Sequence, residues 1–268
     1  MDKKGIWLKV IAFLVCMFLI VPVFVIIPMS FGASNYLEFP PRGFSLRWYK
    51  EFFLNRSWVN ALLYSLQIAI SSTIVALILG VTASEGLVKC EFKGKKMLQQ
   101  VFQLPMIIPV IVIAIALFKF ESDTGLRGSN IGLIAAHALM GLPYVVSTVY
   151  SRRVSLDKNL EYASRNLGAT PFYTMMHITI PLIRPALLSG GLFAFATSFD
   201  ELVISMFLCN IRNNTLPKKI WDGVRSEVDP TITSIASILI LVVTIIMISS
   251  SIVDYRMENP KMVKEKDV

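Results

Sequence analysis

Six long apolar runs, at residues 6–30, 61–84, 101–118, 131–150, 186–208 and 232–253, constrain this chain more than any other feature. A helix needs about 20 largely apolar residues to cross a hydrocarbon core roughly 30 Å thick, and a soluble chain of 268 residues could not bury six such segments. Charged residues make up 16% of the sequence, well below the roughly 25% of ordinary soluble domains. The expected fold class is an all-α membrane protein with six transmembrane helices. The first run exceeds the apolar core of a secretory signal, so it is read as a retained membrane helix.

An even number of spans puts both termini on one side. The N-terminus, residues 89–96, residues 152–184 and the C-terminal tail together hold 16 Lys and Arg, and the opposite side holds 10. The positive-inside rule then places both termini in the cytoplasm. The net charge of +8 is spread through these short blocks between apolar runs, which argues against a basic nucleic-acid face. Cys16, Cys90 and Cys209 fall in unrelated positions, so no structural disulfide is expected. The expected organisation is an N-terminal helix with an outer segment (1–59), a core with five further spans (60–254) and a cytoplasmic tail (255–268).

Prolines punctuate two runs. Pro105 and Pro109 in the third and Pro143 in the fourth each remove a backbone donor and are expected to kink a helix. On the outer side, Ser45 can cap a short helix in which Trp48 and Phe52, and Leu46, Tyr49 and Phe53, recur at helical spacing. That helix is expected to lie at the membrane interface.

The cytoplasmic stretch 151–185 is long for a bundle connection and carries its own helical pattern. Leu156, Leu160, Ala163 and Leu167 form a stripe ending at Gly168, and Thr170 and Pro171 open a second helix that runs to Pro181. Two readings fit this apolar edge. Either a partner covers it, or the two helices fold back on the bundle.

Asp200 and Glu201 lie near the middle of the fifth run, where a charge costs about 2.5 to 3.5 kcal/mol. Gly190, Ala194, Thr197, Glu201 and Ser205 step by three or four residues and predict one small and polar stripe along the helix. Asp200 points about 100° away from Glu201 on such a helix. These acids can line a solute pathway together with Thr197, Ser198 and Ser205, or pair structurally with Arg or Lys near a helix end.

The segment LEYASRNLGATPFYTMMHITIPLIRP resembles the EAA loop of ABC-importer permeases: Glu-Ala-Ala, three residues, Gly, nine residues, Ile, one residue, Leu-Pro. Ala163, Gly168, Ile178 and Pro181 match at the right spacings, with Ile180 at the Leu position. Tyr162 stands where the family has Glu, Ser164 replaces the second Ala, and the nearest acid, Glu161, is one residue early. The resemblance implies a type I importer fold whose cytoplasmic two-helix loop docks on a separate ATPase through Glu161, Tyr162, Ala163, Gly168, Ile178 and Pro181. It also implies a second permease subunit, an extracytoplasmic solute-binding protein, alternating access and a bacterial inner membrane. No phosphate-binding Gly-x-x-x-x-Gly-Lys-Ser/Thr loop occurs in the sequence, so hydrolysis is expected in the partner, with no cofactor here.

SFDELVISMFL and the later LPKKIWDGVRSEVDP resemble the spermidine/putrescine branch of these permeases, specifically the second permease of the pair. That branch commonly carries an acid after the proline of the third span. Here Pro109 is followed by Val110, which leaves another small polar solute as the alternative cargo. His137 and His177 have no Cys or carboxylate at ligand spacing, and His137 reads as a hydrogen-bonded interior residue. A membrane enzyme using Asp200, Glu201 and His137, or a signalling subunit using the loop only for docking, are the competing classes.

Overall fold

The computed structural model describes residues 3–157, 159–210, 213–226 and 229–258. The tail beyond residue 258 lies outside the described residues. The elements run α1 (Lys3–Ser30), α2 (Arg47–Leu54), α3 (Arg56–Lys89), α4 (Lys95–Val101), α5 (Leu104–Ile107), α6 (Val110–Thr124) and α7 (Asn130–Val154). They continue as α8 (Asn159–Asn166), α9 (Pro171–Thr174), a π turn (Met175–Thr179), α10 (Ile180–Asp200), α11 (Val203–Leu208), α12 (Leu216–Ser226) and α13 (Thr231–Glu258). The described residues are otherwise loops, with an isolated antiparallel bridge between Gly32 and Phe44.

Among the described residues four helical stretches are long and apolar enough to cross a membrane: Trp7–Ser30, Arg56–Lys89, Asn130–Val154 and Pro171–Asp200. Side chains from Trp7 to Met29 are exposed or half-exposed throughout, with Phe13, Phe18 and Phe24 facing outward. A mean hydropathy of 3.3 across that segment makes hydrocarbon the environment that such a surface requires.

The chain divides into two compact units, residues 1–59 with 220–268 and residues 60–219. In the first, α1 and α2 both pack on α13. Trp48 and Phe52 of α2 are buried, as their spacing predicts, whereas Leu46 and Phe53 stay exposed. The α2 helix begins one residue later than the sequence suggests: Leu46 holds the cap position, and the Ser45 hydroxyl accepts from the Arg47 N–H at 3.1 Å. The Trp48 indole donates to the Ser34 carbonyl at 3.2 Å, and Ser234 of α13 donates to the Trp48 carbonyl at 3.3 Å.

In the second unit α7 packs along α10, with Val145, Val149, Ile183, Ala194 and Ala76 in one core. Small residues permit the approach. A Cβ added at Gly141 would stand 2.9 Å from the Ala194 Cβ, and one at Gly190 would stand 2.5 Å from the Thr148 hydroxyl. A second core joins Ile68, Ala114, Leu133, Ala136, Ile204 and Leu208.

Three elements depart from their sequence expectation. Pro105 and Pro109 do not kink one helix across 101–118. Pro105 lies in the first turn of α5 and Pro109 is the N-cap of α6, positions where a missing donor costs nothing. The α6 helix has 15 residues, about 22 Å of rise. By contrast α7 continues unbroken past Pro143. The second coupling helix does not stop at Pro181 but continues to Asp200. There the Ile180 N–H reaches the Met175 carbonyl, and this wider turn lies where Pro181 can neither donate nor fit an ordinary α turn. The fifth run, finally, is broken after Asp200.

Candidate functional site

That break forms the first candidate site. Glu201 leaves the helix with φ −72° and ψ 105°, and its carboxylate accepts the Ile204 N–H at 3.0 Å, capping α11 where orphan donors favour an anion. The Ser205 hydroxyl donates to the Glu201 carbonyl at 2.9 Å. Asp200 is exposed at the last position of α10, where the negative end of the helix dipole opposes its charge. A cation arriving at this break meets two acids at the negative end of a helix dipole.

Behind the break lies a polar cluster. His137, only 1% exposed, has Nδ1 at 2.9 Å from the Ser198 hydroxyl and Nε2 at 3.4 Å from that of Ser205. Ser72 donates to the Ser198 hydroxyl at 2.9 Å. The interior hydrogen-bonded role expected for His137 is what the structure shows, and it joins α3, α7, α10 and α11. The predicted stripe through Gly190, Ala194, Thr197, Glu201 and Ser205 is therefore not one helix face. Gly190, Ala194 and Ser198 form the buried row of α10, Thr197 is half-buried, and Glu201 and Ser205 belong to the break and α11. Another acid that sequence reasoning passed over, Glu121, is buried on α6 in space that Gly132 leaves: a Cβ there would stand 2.7 Å from its carboxyl group.

The second site is the cytoplasmic helix pair. Gly168 has φ +86°. Its N–H bonds the Arg165 carbonyl at 3.0 Å, and the Ala169 N–H bonds that of Ser164 at 3.2 Å, the pattern of a glycine-terminated helix. The Thr170 hydroxyl accepts from the Tyr173 N–H at 3.2 Å, with Pro171 opening α9. Ser164 and Thr174 join the two helices through a 2.9 Å hydrogen bond. Tyr162 (62% exposed), Leu167 (89%), Phe172 and Tyr173 face outward, and Ala163 is exposed beside them. Leu156, Ile178 and Pro181 are half-buried.

Glu161 does not share that outward face. Its carboxylate accepts from Arg153 Nη2 at 2.7 Å and from the Thr179 hydroxyl at 2.7 Å, and lies 3.5 Å from Lys89 Nζ. Arg153 also grips Glu85, through Nε to Oε1 and Nη2 to Oε2, and Lys89 lies 2.9 Å from Glu85. Beside this cluster is a cavity of about 280 Å³ bordered by Lys89, Arg153, Glu161, Tyr162, Arg165, Pro171 and Thr174. No sequence signal pairs Glu85 with Arg153 across 68 positions. Among the described residues no three His, Cys, Asp or Glu side chains group as metal ligands.

Residues 73–259 match the family of binding-protein-dependent transport system inner membrane components, well over half of the chain. The chain belongs to that family. The permease is 30% identical over 241 residues to the spermidine/putrescine transport system permease protein PotC of Haemophilus influenzae, covering 90% of this chain and 93% of that protein. It is 32% identical over 251 residues to the putrescine transport system permease protein PotI of Escherichia coli K12, covering 90% and 88% respectively. The permease is thus an integral membrane transport subunit whose relatives are permeases rather than enzymes.

Proposed function

We propose that the permease forms part of the membrane path of an ATP-driven importer of polyamines or related small organic cations. Similarity to PotC and PotI over nine tenths of the chain carries this reading, and the acids at the α10 break supply chemistry that suits such cargo. Ammonium groups leaving water gain most from carboxylates where the dielectric is low. Asp200, Glu201 and Thr197 are the pathway residues, and Ser198 and Ser205, buried in the cluster behind the break, support them. Six spans carry the chain across the inner membrane, with both termini in the cytoplasm. A second permease, cytoplasmic ABC ATPases and an extracytoplasmic binding protein complete the importer.

In this reading the exposed edge of residues 151–185 docks on the ATPase. The Gly168 turn sets the angle between its helices, and Ile178 and Pro181 lead into α10. Closure of the ATPase dimer moves that edge, and the bundle alternates between outward and inward openings.

The direct test is uptake of labelled spermidine and putrescine by the complete complex in proteoliposomes. ATP-dependent accumulation of either supports the reading, and its absence removes polyamines as cargo. One observation favours a second cargo: Val110, at the start of α6, packs on the Ile68 and Leu133 core, where the polyamine branch commonly has an acid. Accumulation of a different small polar solute by the same vesicles would select that alternative.

A further inference from the structure

The loop's only acid in its first helix is turned away from the surface a partner would touch. Glu161 and Tyr162 are neighbours on α8, and adjacent residues of a helix point about 100° apart. Tyr162 faces out, whereas Glu161 is 21% exposed on its side chain and Arg153 beside it only 5%. The Glu161 carboxylate ties α8 to three long helices. Arg153 belongs to the cytoplasmic end of α7, Lys89 is the last residue of α3, and Thr179 ends the π turn that leads directly into α10. Glu85, one helical turn before Lys89, closes the network onto the other edge of the Arg153 guanidinium.

We infer that Glu161 is the internal joint of the coupling segment, a positioning residue that passes displacement of α8 to α3, α7 and α10, while Tyr162 and the neighbouring aromatic edge make the docking contact. The inference rests on the coupling reading above and divides its labour between two adjacent residues. Its physical basis is geometric. A forked guanidinium held by two carboxylates transmits direction as well as force, because two parallel hydrogen bonds fix its plane. The cavity bordering the cluster leaves room for α8 to shift without driving backbone into backbone. Single-point hydrophobic packing would let α8 slide over the bundle, whereas the Arg153, Glu85 and Glu161 contacts, with side chains 5%, 10% and 21% exposed, must move together or break.

The test uses the complete transporter, with the second permease, ATPases and binding protein, and reads two quantities: copurification of the ATPase, and stimulation of ATP hydrolysis by the binding protein. Glu161→Gln is expected to keep copurification near that of the unmodified complex while stimulation falls about tenfold. Glu161→Asp, which keeps the charge on a shorter arm, is expected to recover part of it. Tyr162→Ala is expected to lose copurification instead. Thr179→Val removes one arm without altering any charge, so it reports even if the Glu161 variants accumulate poorly, and reduced stimulation is expected there as well. Loss of copurification in Glu161→Gln would make Glu161 a docking residue and overturn the inference, as would unchanged stimulation in both Glu161→Gln and Thr179→Val. An unmodified permease that retains no ATPase would overturn the coupling reading itself, an outcome distinct from either.

Discussion

Asp200 and Glu201 are adjacent in sequence, yet the helix end between them gives each a different task. Glu201 satisfies the Ile204 N–H, a capping interaction whose loss costs about 1 kcal/mol. Asp200 sits against an unfavourable dipole, so its charge does not serve the local fold. Two substitutions separate these tasks. Asp200→Asn is expected to lower polyamine uptake about tenfold, roughly 1.4 kcal/mol, with membrane insertion and ATPase assembly unchanged. Unaltered uptake in reconstituted vesicles would take Asp200 out of the pathway. In Glu201→Gln the amide oxygen can still accept the Ile204 N–H, so thermal stability in detergent is expected to stay within about 0.5 kcal/mol, the range of substitutions that spare such features. Any fall in uptake then reports the charge alone. Gly168 is the third residue whose conformation decides its identity. Its φ of +86° disfavours a residue with Cβ by roughly 1–2 kcal/mol, and Gly168→Val is expected to misdirect α9 and reduce ATPase copurification while the chain still reaches the membrane. Normal copurification in that variant would remove the turn from coupling.

Among elements, α10 shows how much of the site could be read in the sequence. Its small residues were visible at helical spacing, and their burial against α7 follows from the missing Cβ at Gly141 and Gly190. Gly190→Val should overpack that contact and cost about 1–3 kcal/mol, measured as a lowered unfolding temperature in detergent. An unchanged transition would mean that α10 can move away from α7 freely. The end of α10 was not legible, because SFDELV holds no Gly or Pro to punctuate a helix. Across the break, His137 holds both Ser198 and Ser205, and Ser72 holds Ser198. Ser198→Ala removes the hydroxyl shared by His137 and Ser72 but leaves His137 Nδ1 on the Ser198 carbonyl at 3.2 Å and Ser72 on the Ala69 carbonyl at 3.1 Å, so a loss of about 0.5–1.5 kcal/mol is expected, again read by thermal unfolding. The coupling pair was legible in its punctuation, since Gly168, Thr170 and Pro171 act on their own backbone. Its inward acid was not, because a carboxylate one residue from a tyrosine gives no sign of which faces the bundle.

At the scale of the whole molecule, orientation is the property that the function needs most. In a cysteine-free background made by replacing Cys16, Cys90 and Cys209, cysteines placed at exposed Arg165 and Leu167 are expected to react only from the cytoplasm, and those at exposed Arg42 and Lys119 only from outside. The opposite labelling would put the 151–185 segment out of reach of a cytoplasmic ATPase and end the coupling reading. Sequence alone determined that this chain is helical and membrane-embedded, because apolar run length is a one-dimensional quantity set by bilayer thickness. It also carried the family, because the glycine turn and its flanking residues act over a few positions. Only the tertiary structure decided where the fifth run breaks, that Glu201 caps the helix beyond the break while Asp200 stays exposed, and that Glu161 turns inward to Arg153, Lys89 and Thr179. The Glu201 cap is local, but the inward turn of Glu161 depends on Lys89 and Arg153 of other helices, whose proximity arises when helices pack and leaves no periodic trace in the chain.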